Sequence, residues 1–147
     1  MRAAWGEDSC DPVDLPWSTD NPAKGQCGVT ALVLNDLLGG DLMSAPVFFP
    51  DGTQQGWHTW NVFGDGVEVD LTLEQFRAGE VVEPPERIVR APGPPTRDPH
   101  RYEALRARVL TALGIDPTEA MLGHHDARTG PGQPPSTNGG HSPGSGS

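Results

Sequence analysis

The sequence predicts a mixed α+β fold in which one buried helix, carrying a cysteine at its start, packs on a small antiparallel sheet. Residues 27–38 (CGVTALVLNDLL) are apolar on nearly every side, which is typical of a helix enclosed by the rest of a protein. Residues 57–63 and 67–71 are rich in β-branched and aromatic side chains, and residues 64–66 (GDG) between them favour a hairpin turn. Together these segments are sufficient for one core.

The elements around the helix and the hairpin are shorter. Residues 1–26 alternate prolines and acidic residues with isolated tryptophans, which predicts a series of turns. Gly-Gly at 39–40 ends the buried helix, and residues 45–49 (APVFF) predict a first strand with a proline near its start. Thr72 and Gln75 have the spacing of a capping box, which predicts a helix of one or two turns after the hairpin.

The C-terminal part of the chain changes composition twice. Residues 80–99 contain repeated prolines and predict a surface loop, in which residues 88–90 could add one strand. Residues 99–113 predict a last helix with an apolar stripe that includes Leu113. Residues 124–147 have almost no side chains to bury, so we expect a single domain over residues 1–123 and a disordered tail over 124–147.

Charge and cysteine content narrow the classes of function. The chain has 20 acidic and 10 basic residues and a net charge of -10, which opposes binding to nucleic acid or to anionic lipid. Residues 1–14 lack the basic and apolar regions of a signal peptide, so we expect a cytoplasmic protein with two free thiols. The two cysteines lack a histidine pair at zinc-ligand spacing, and we expect neither a metal nor a cofactor.

Cys27 lies where the loop of residues 21–26 turns into the buried helix. The unpaired N–H groups and the dipole at a helix start stabilise a thiolate, and Gly25 and Gly28 leave space for a substrate. A cysteine at such a position, taken alone, is more often a small buried side chain. The functional interpretation therefore depends on a partner base.

The predicted hairpin supplies that partner. With its turn centred on residues 64–66, opposed residue numbers sum to about 130, so that Trp60 faces Asp70. His58 and Asp70 are then diagonal neighbours on one side, ~7–8 Å apart at the backbone, within reach of a hydrogen bond between their side chains. Asp70 would orient His58 as the base for Cys27. A bulge at Gly66 would shift the register by one residue and put Asn61 in competition with Asp70 for this role.

Acyl chemistry also needs hydrogen-bond donors to the oxyanion. The backbone N–H of Cys27 is one, and the side chains of Asn21 and Gln26 are the candidates for a second. Asn21 is equally well explained as an Asx-turn residue before a proline. Trp17 and Trp60 are candidates for the walls of a substrate cleft, although aromatic residues of this size more often belong to the core.

The strings DNPAKGQCGVTALVLNDLLGGDLM, HTWN and VEVDLTLEQF, in this order, resemble the YunG-like family of small bacterial proteins. The resemblance runs over about residues 5–113. It implies a compact papain-like or transglutaminase-like fold, with Cys27 as nucleophile, His58 as base and Asp70 as orienting acid. The wider papain-like pattern has glutamine six residues before the nucleophile, where this chain has Asn21.

The sequence thus favours an enzyme that forms a thioester on Cys27 and either hydrolyses an amide or transfers an acyl group. The expected substrate is a small amide, a peptide or a carrier-bound acyl group. The alternative is a non-catalytic binding module that retains the papain-like fold, and a third hypothesis is an interaction protein that works through its acidic loops and tail.

Overall fold

The fold is mixed α+β, with two helices and a curled antiparallel sheet, as the sequence predicts. The computed structural model describes residues 1–118, and Met1–Pro117 forms one compact unit. The tail predicted for residues 124–147, and the predicted domain end at residue 123, lie outside the described residues. Within residues 1–118, no helix combines the length and the apolarity needed to cross a membrane.

The buried helix, α1, spans Cys27–Leu38, with the bounds that the apolar run and the two glycines after it predict. The second helix, α2, spans Pro99–Ala112, so Leu113 falls outside it and is 63% exposed. The strands, in chain order, are β1 at Asp41–Phe48, β2 at Gln54–Phe63, β3 at Val67–Val69, β4 at Val81–Val82 and β5 at Glu86–Ile88.

The sheet has the order β3-β2-β1-β4, and β5 pairs with the same edge of β1 as a second short segment. All of these pairings are antiparallel. Strand β1 begins at Asp41, four residues before the predicted start, because the chain leaves the helix through Gly40 directly into pairing with β2. A Cβ at Gly40, whose φ is 81°, would lie 2.5 Å from the carbonyl oxygen of Val62. This close approach sets the path from α1 into the sheet.

Helix α1 is held on both sides. Val29 and Val33 pack with Leu105 of α2 in a core that also contains Trp5 from the N-terminal turns. The indole N–H of Trp5 donates to Thr30 Oγ1 at 2.9 Å, so a polar contact crosses the core as well. On the sheet side, Asn61 Nδ2 of β2 donates to the carbonyl oxygen of Ala31 at 2.9 Å. These contacts fix the start of α1 relative to β2.

The other end of α1 carries a closed polar cluster around Asp36. Its carboxylate accepts hydrogen bonds from Arg90 at 2.7 Å, from the backbone N–H of Gly93 at 2.9 Å and from the hydroxyl of Tyr102. Burial is the largest single effect on the pKa of Asp36 and acts to raise it. The hydrogen bonds from the three donors together outweigh burial, so the pKa of Asp36 lies below its ordinary value. The cluster ties the proline-rich loop to both helices.

The turn after β3 differs from the sequence prediction. Residues Leu73–Gln75 form a single 3-10 turn, and the capping box predicted at Thr72 and Gln75 is absent. The reason is Asp70, whose Oδ1 accepts from the backbone N–H of Thr72 at 3.2 Å and from its hydroxyl at 3.3 Å. Thr72 is therefore engaged by the preceding carboxylate and does not cap the turn that follows it.

Candidate active site

Cys27 is the first residue of α1 and lines a cleft. The first intrahelical bond runs from Thr30 N–H to the carbonyl oxygen of Gln26 at 3.0 Å, so the N–H groups before Thr30 have no partner within the helix. The Cys27 side chain is half-buried, and its Sγ lies 3.7 Å from the carbonyl oxygen of Trp57. A Cβ at Gly28 would meet no atom within 4 Å, so the space beside the thiol is open.

His58 and Asp70 are brought together by the hairpin. Strands β2 and β3 pair in the predicted register, with Asn61 opposite Val69, so that partner numbers sum to 130. Strand β3 ends at Val69, and the chain then turns the Asp70 carboxylate toward His58, with Oδ2 at 2.6 Å from Nε2. The diagonal placement predicted from the turn therefore matches the observed pair.

The remaining nitrogen of His58, Nδ1, is not used by Asp70. Burial, the largest single effect, lowers the pKa of His58, whereas hydrogen bonds to Asp70 and Cys27, together with their charges, raise it to about 9. Because Nε2 is occupied by Asp70, Nδ1 is the nitrogen that remains available to Cys27. A ring oriented by a carboxylate, with its second nitrogen available, can take a proton from a thiol and carry the resulting positive charge.

Aromatic side chains enclose the imidazole, which is 2% exposed. Trp60 stacks on it at 5.4 Å between ring centroids, and Phe76 meets it edge-on at 4.7 Å. The histidine can thus exchange a proton with Cys27 while its ring stays in one orientation. Low solvent access also strengthens its charge interaction with Asp70.

The cleft in front of Cys27 has a volume of about 800 Å³. Trp17, Trp57 and Phe76 contribute aromatic surface to its lining. Other parts of the lining are charged and include both signs, since Asp14 and Arg101 belong to it. Burial raises the pKa of Asp14, and the negative charge of its neighbour Asp11 raises it further. The cleft is therefore suited to a polar ligand with an apolar portion.

The two side chains predicted to donate to an oxyanion, Asn21 and Gln26, both use their amide N–H groups elsewhere. Asn21 lines the cleft, but its Nδ2 donates to the backbone carbonyl of Gln75 at 3.0 Å. Gln26 is fully buried and points away, with its Nε2 on the carbonyl oxygen of Gly6 at 3.0 Å. Its Oε1 has no hydrogen-bond partner within residues 1–118. The oxyanion role predicted for Gln26 does not fit this placement, because its donor group is used behind the cleft.

Of the other predicted site residues, Trp17 has the predicted position, whereas Trp60 and Asn61 do not have the predicted roles. Trp17 lines the cleft, where its indole N–H donates to the carbonyl oxygen of Pro22 at 2.9 Å. Trp60 is only 8% exposed and lies behind His58, so it supports the histidine and is not a cleft wall. Asn61 does not replace Asp70, because its amide is bonded to α1 and the hairpin has no bulge that would shift it.

The second thiol has a different environment. Cys10 is 2% exposed, and its Sγ lies 3.5 Å and 3.6 Å from the carbonyl oxygens of Asp11 and Lys24. Burial, helped by the charge of Asp14, raises the pKa of Cys10 to about 11. Both cysteines are free, but only Cys27 combines access with a basic partner.

Comparison with known proteins gives the same family as the motifs around these residues. The family model described as YunG protein matches residues 1–114. The chain belongs to the YunG family. It is similar to the uncharacterized protein YunG of Bacillus subtilis (strain 168), with 36% identity over 78 residues, which cover 53% of this chain and 58% of that protein. No solved structure matches.

Two side chains that the motif analysis of this YunG family member missed belong to the site. Gln75 places its Nε2 at 3.3 Å from His58 Nδ1, and Trp57 is 59% exposed along the cleft. Alternation along β2 sets Trp57 on the face opposite to His58, so the strand pattern alone argues against its joining the site. No sequence signal indicates Gln75 either, since its reach depends on the turn formed around Asp70.

Proposed function

We propose that the chain catalyses acyl-group chemistry, either amide hydrolysis or acyl transfer, through a thioester on Cys27. The observation that carries the proposal is His58, whose Nε2 lies 2.6 Å from Asp70 Oδ2 and whose pKa is raised, against the lowering effect of burial, by its interactions with Asp70 and Cys27. A thiol at a helix start, a base beside it and a carboxylate that orients the base are the parts that nucleophilic catalysis by cysteine requires. The α+β fold would then be a compact papain-like or transglutaminase-like form.

The expected reaction has two stages. His58 Nδ1 takes the thiol proton, and Cys27 Sγ attacks the carbonyl carbon of the substrate while the carbonyl electron pair moves to oxygen. Collapse of this intermediate expels the amine or thiol, which takes the proton from Nδ1, and leaves an acyl group on sulfur. Water or an acceptor amine then releases the acyl group, with His58 again accepting and returning a proton.

The size and lining of the cleft support a small substrate. A volume of about 800 Å³ lies within the ~300–1,000 Å³ of small-molecule sites. The aromatic surface of Trp17 and Trp57 suits the apolar part of an acyl group, and the charged lining suits a polar amide, peptide or carrier segment. A reducing cytoplasm, the setting proposed for the chain, would keep the nucleophile as a free thiol.

The test measures the thiol first and the acyl chemistry second. Iodoacetamide at neutral pH is expected to alkylate Cys27 at least tenfold faster than glutathione, with Cys10 unmodified while the protein stays folded. A panel of small amides and thioesters should leave an acyl group on Cys27 in the wild type and none in Cys27→Ala, as read by intact mass.

Cys10→Ala is the matched control, because it removes the buried thiol and keeps the site. It should alkylate and acylate at wild-type rates. If Cys27 in the wild type reacts no faster than glutathione and forms no acyl adduct, the catalytic proposal fails and the binding module becomes the better hypothesis.

A further inference from the structure

Gln75 reaches the pair formed by Cys27 and His58 from the turn after the hairpin. Its Nε2 donates to the carbonyl oxygen of Thr72 at 3.0 Å and lies 3.3 Å from His58 Nδ1. A carbonyl oxygen can only accept, so the amino group of Gln75, and not its oxygen, must face Thr72. One amide hydrogen is used there, and the second is available to Nδ1.

The partner of this second hydrogen depends on where the thiol proton is. While Nδ1 is unprotonated, it accepts a hydrogen bond from the amide. Once Nδ1 has taken the proton of Cys27, two donors face each other and the amide hydrogen loses its acceptor. Gln75 and Cys27 both line the cleft, so the released N–H is available to a substrate bound there.

We propose that Gln75 supplies the side-chain hydrogen bond to the oxyanion that forms when Cys27 attacks a carbonyl group, an inference that rests on the proposed acyl chemistry. In that step the Sγ–C bond forms, the carbonyl π bond breaks toward oxygen, and the thiol proton goes to His58 Nδ1. The negative oxygen then receives the amide N–H of Gln75 and the backbone N–H of Cys27. When the intermediate collapses, the electron pair returns and the leaving group takes the proton from Nδ1.

The contacts of the neighbouring amides favour Gln75 for this role. Asn21 gives its Nδ2 to the backbone carbonyl of Gln75 at 3.0 Å, which steadies the residue that carries the donor. Gln26 gives its Nε2 to Gly6, behind the cleft. Of these three amides, only Gln75 has its amino group within hydrogen-bonding distance of the imidazole.

Two reactions of the Cys27 thiol can show whether Gln75 donates to the oxyanion or only keeps the site folded. Iodoacetamide reacts by displacement at a saturated carbon and forms no oxyanion, whereas p-nitrophenyl acetate acylates the thiol through one. Gln75→Ala is expected to slow acetylation of Cys27 about 10²-fold, the effect of removing one oxyanion donor, while alkylation stays within about twofold of wild type. Gln54→Ala, on the exposed start of β2, should leave both rates unchanged.

Gln75→Glu provides a second variant of the same shape, which lacks the N–H and adds a negative charge near the oxyanion. It should lose acetylation selectively as well, and its alkylation rate shows directly that the site is folded. Loss of both rates by the same factor, or of neither, would overturn the role of Gln75. A wild-type Cys27 that is neither activated toward iodoacetamide nor acetylated would overturn the proposed function itself, and this inference with it.

Discussion

The two ends of helix α1 differ in how far the protein itself satisfies their polar groups. At the C-terminal end, Asp36 receives three donors, from Arg90, Gly93 and Tyr102, and its cluster is closed. At the N-terminal end, Cys27 opens onto a cleft, and the N–H groups of the first turn have no partner within the helix.

The difference indicates how one helix serves stability and chemistry at once. A carboxylate whose donors are all supplied by the protein holds the chain together but has no capacity left for a ligand. Donors that the fold leaves unpaired, beside a nucleophile, are available to a substrate and contribute less to folding. We therefore expect changes at Asp36 to act on stability and changes around Cys27 to act on reactivity.

The largest expected effect is at the closed end. Asp36→Ala would leave Arg90, whose side chain is 14% exposed, without its charge partner, and should lower the free energy of unfolding by about 3–5 kcal/mol. Urea unfolding monitored by tryptophan fluorescence measures this loss. The matched control is Asp41→Ala, which breaks the exposed pair with Arg87 and should cost no more than about 1 kcal/mol. Equal losses for the two variants would contradict the assignment of Asp36 to stability.

A smaller and different effect is expected at the open end. Asp70→Asn keeps the shape of the side chain but removes the charge that stabilises protonated His58. Alkylation of Cys27 by iodoacetamide at pH 7 should slow about tenfold, the equivalent of roughly one pKa unit. Asp65→Asn, in the exposed hairpin turn, should change nothing. If the two variants alkylate equally fast, Asp70 does not act through the histidine.

The smallest expected effect is a shift in the titration of one ring. The pKa of His58 is raised from 6.5 to about 9, so its contribution to stability is complete below pH 6.5 and is lost as the pH rises through about 9. In Cys27→Ala the interactions with Cys27 that raise the pKa of His58 are gone, and the midpoint should move to lower pH. NMR titration of the imidazole measures both midpoints, and identical values would show that the thiol does not interact with the ring.

Sequence patterns predicted the structure correctly where a single local segment determines it. The apolar run and the glycines after it gave the bounds of α1, and the three-residue turn gave the register that places His58 beside Asp70. Each of these depends on side chains within a few residues of one another. The family resemblance carried by the motifs over about residues 5–113 is confirmed by the YunG family model, which matches residues 1–114.

Tertiary contacts determined the rest. Strands β4 and β5 are two and three residues long, and they form because β1 offers a free edge. No sequence pattern predicted β4, and the strand predicted at residues 88–90 overlaps β5 only at Ile88. Gln26 adjoins the nucleophile in sequence, yet it turns toward Gly6. Gln75 resembles a capping residue, yet it reaches His58, because Asp70 occupies the threonine that would have capped the turn.

The placement of Cys10 has a consequence for labelling experiments. A Cβ at Gly25 would lie 2.5 Å from Cys10 Sγ, so the sulfur fills the space beneath the loop that leads into Cys27. A reagent can reach that sulfur only when the loop opens, and the added group then prevents the loop from closing again. The second alkylation of the chain thus counts opening events, and its rate reports native-state exchange from a natural thiol without an introduced probe.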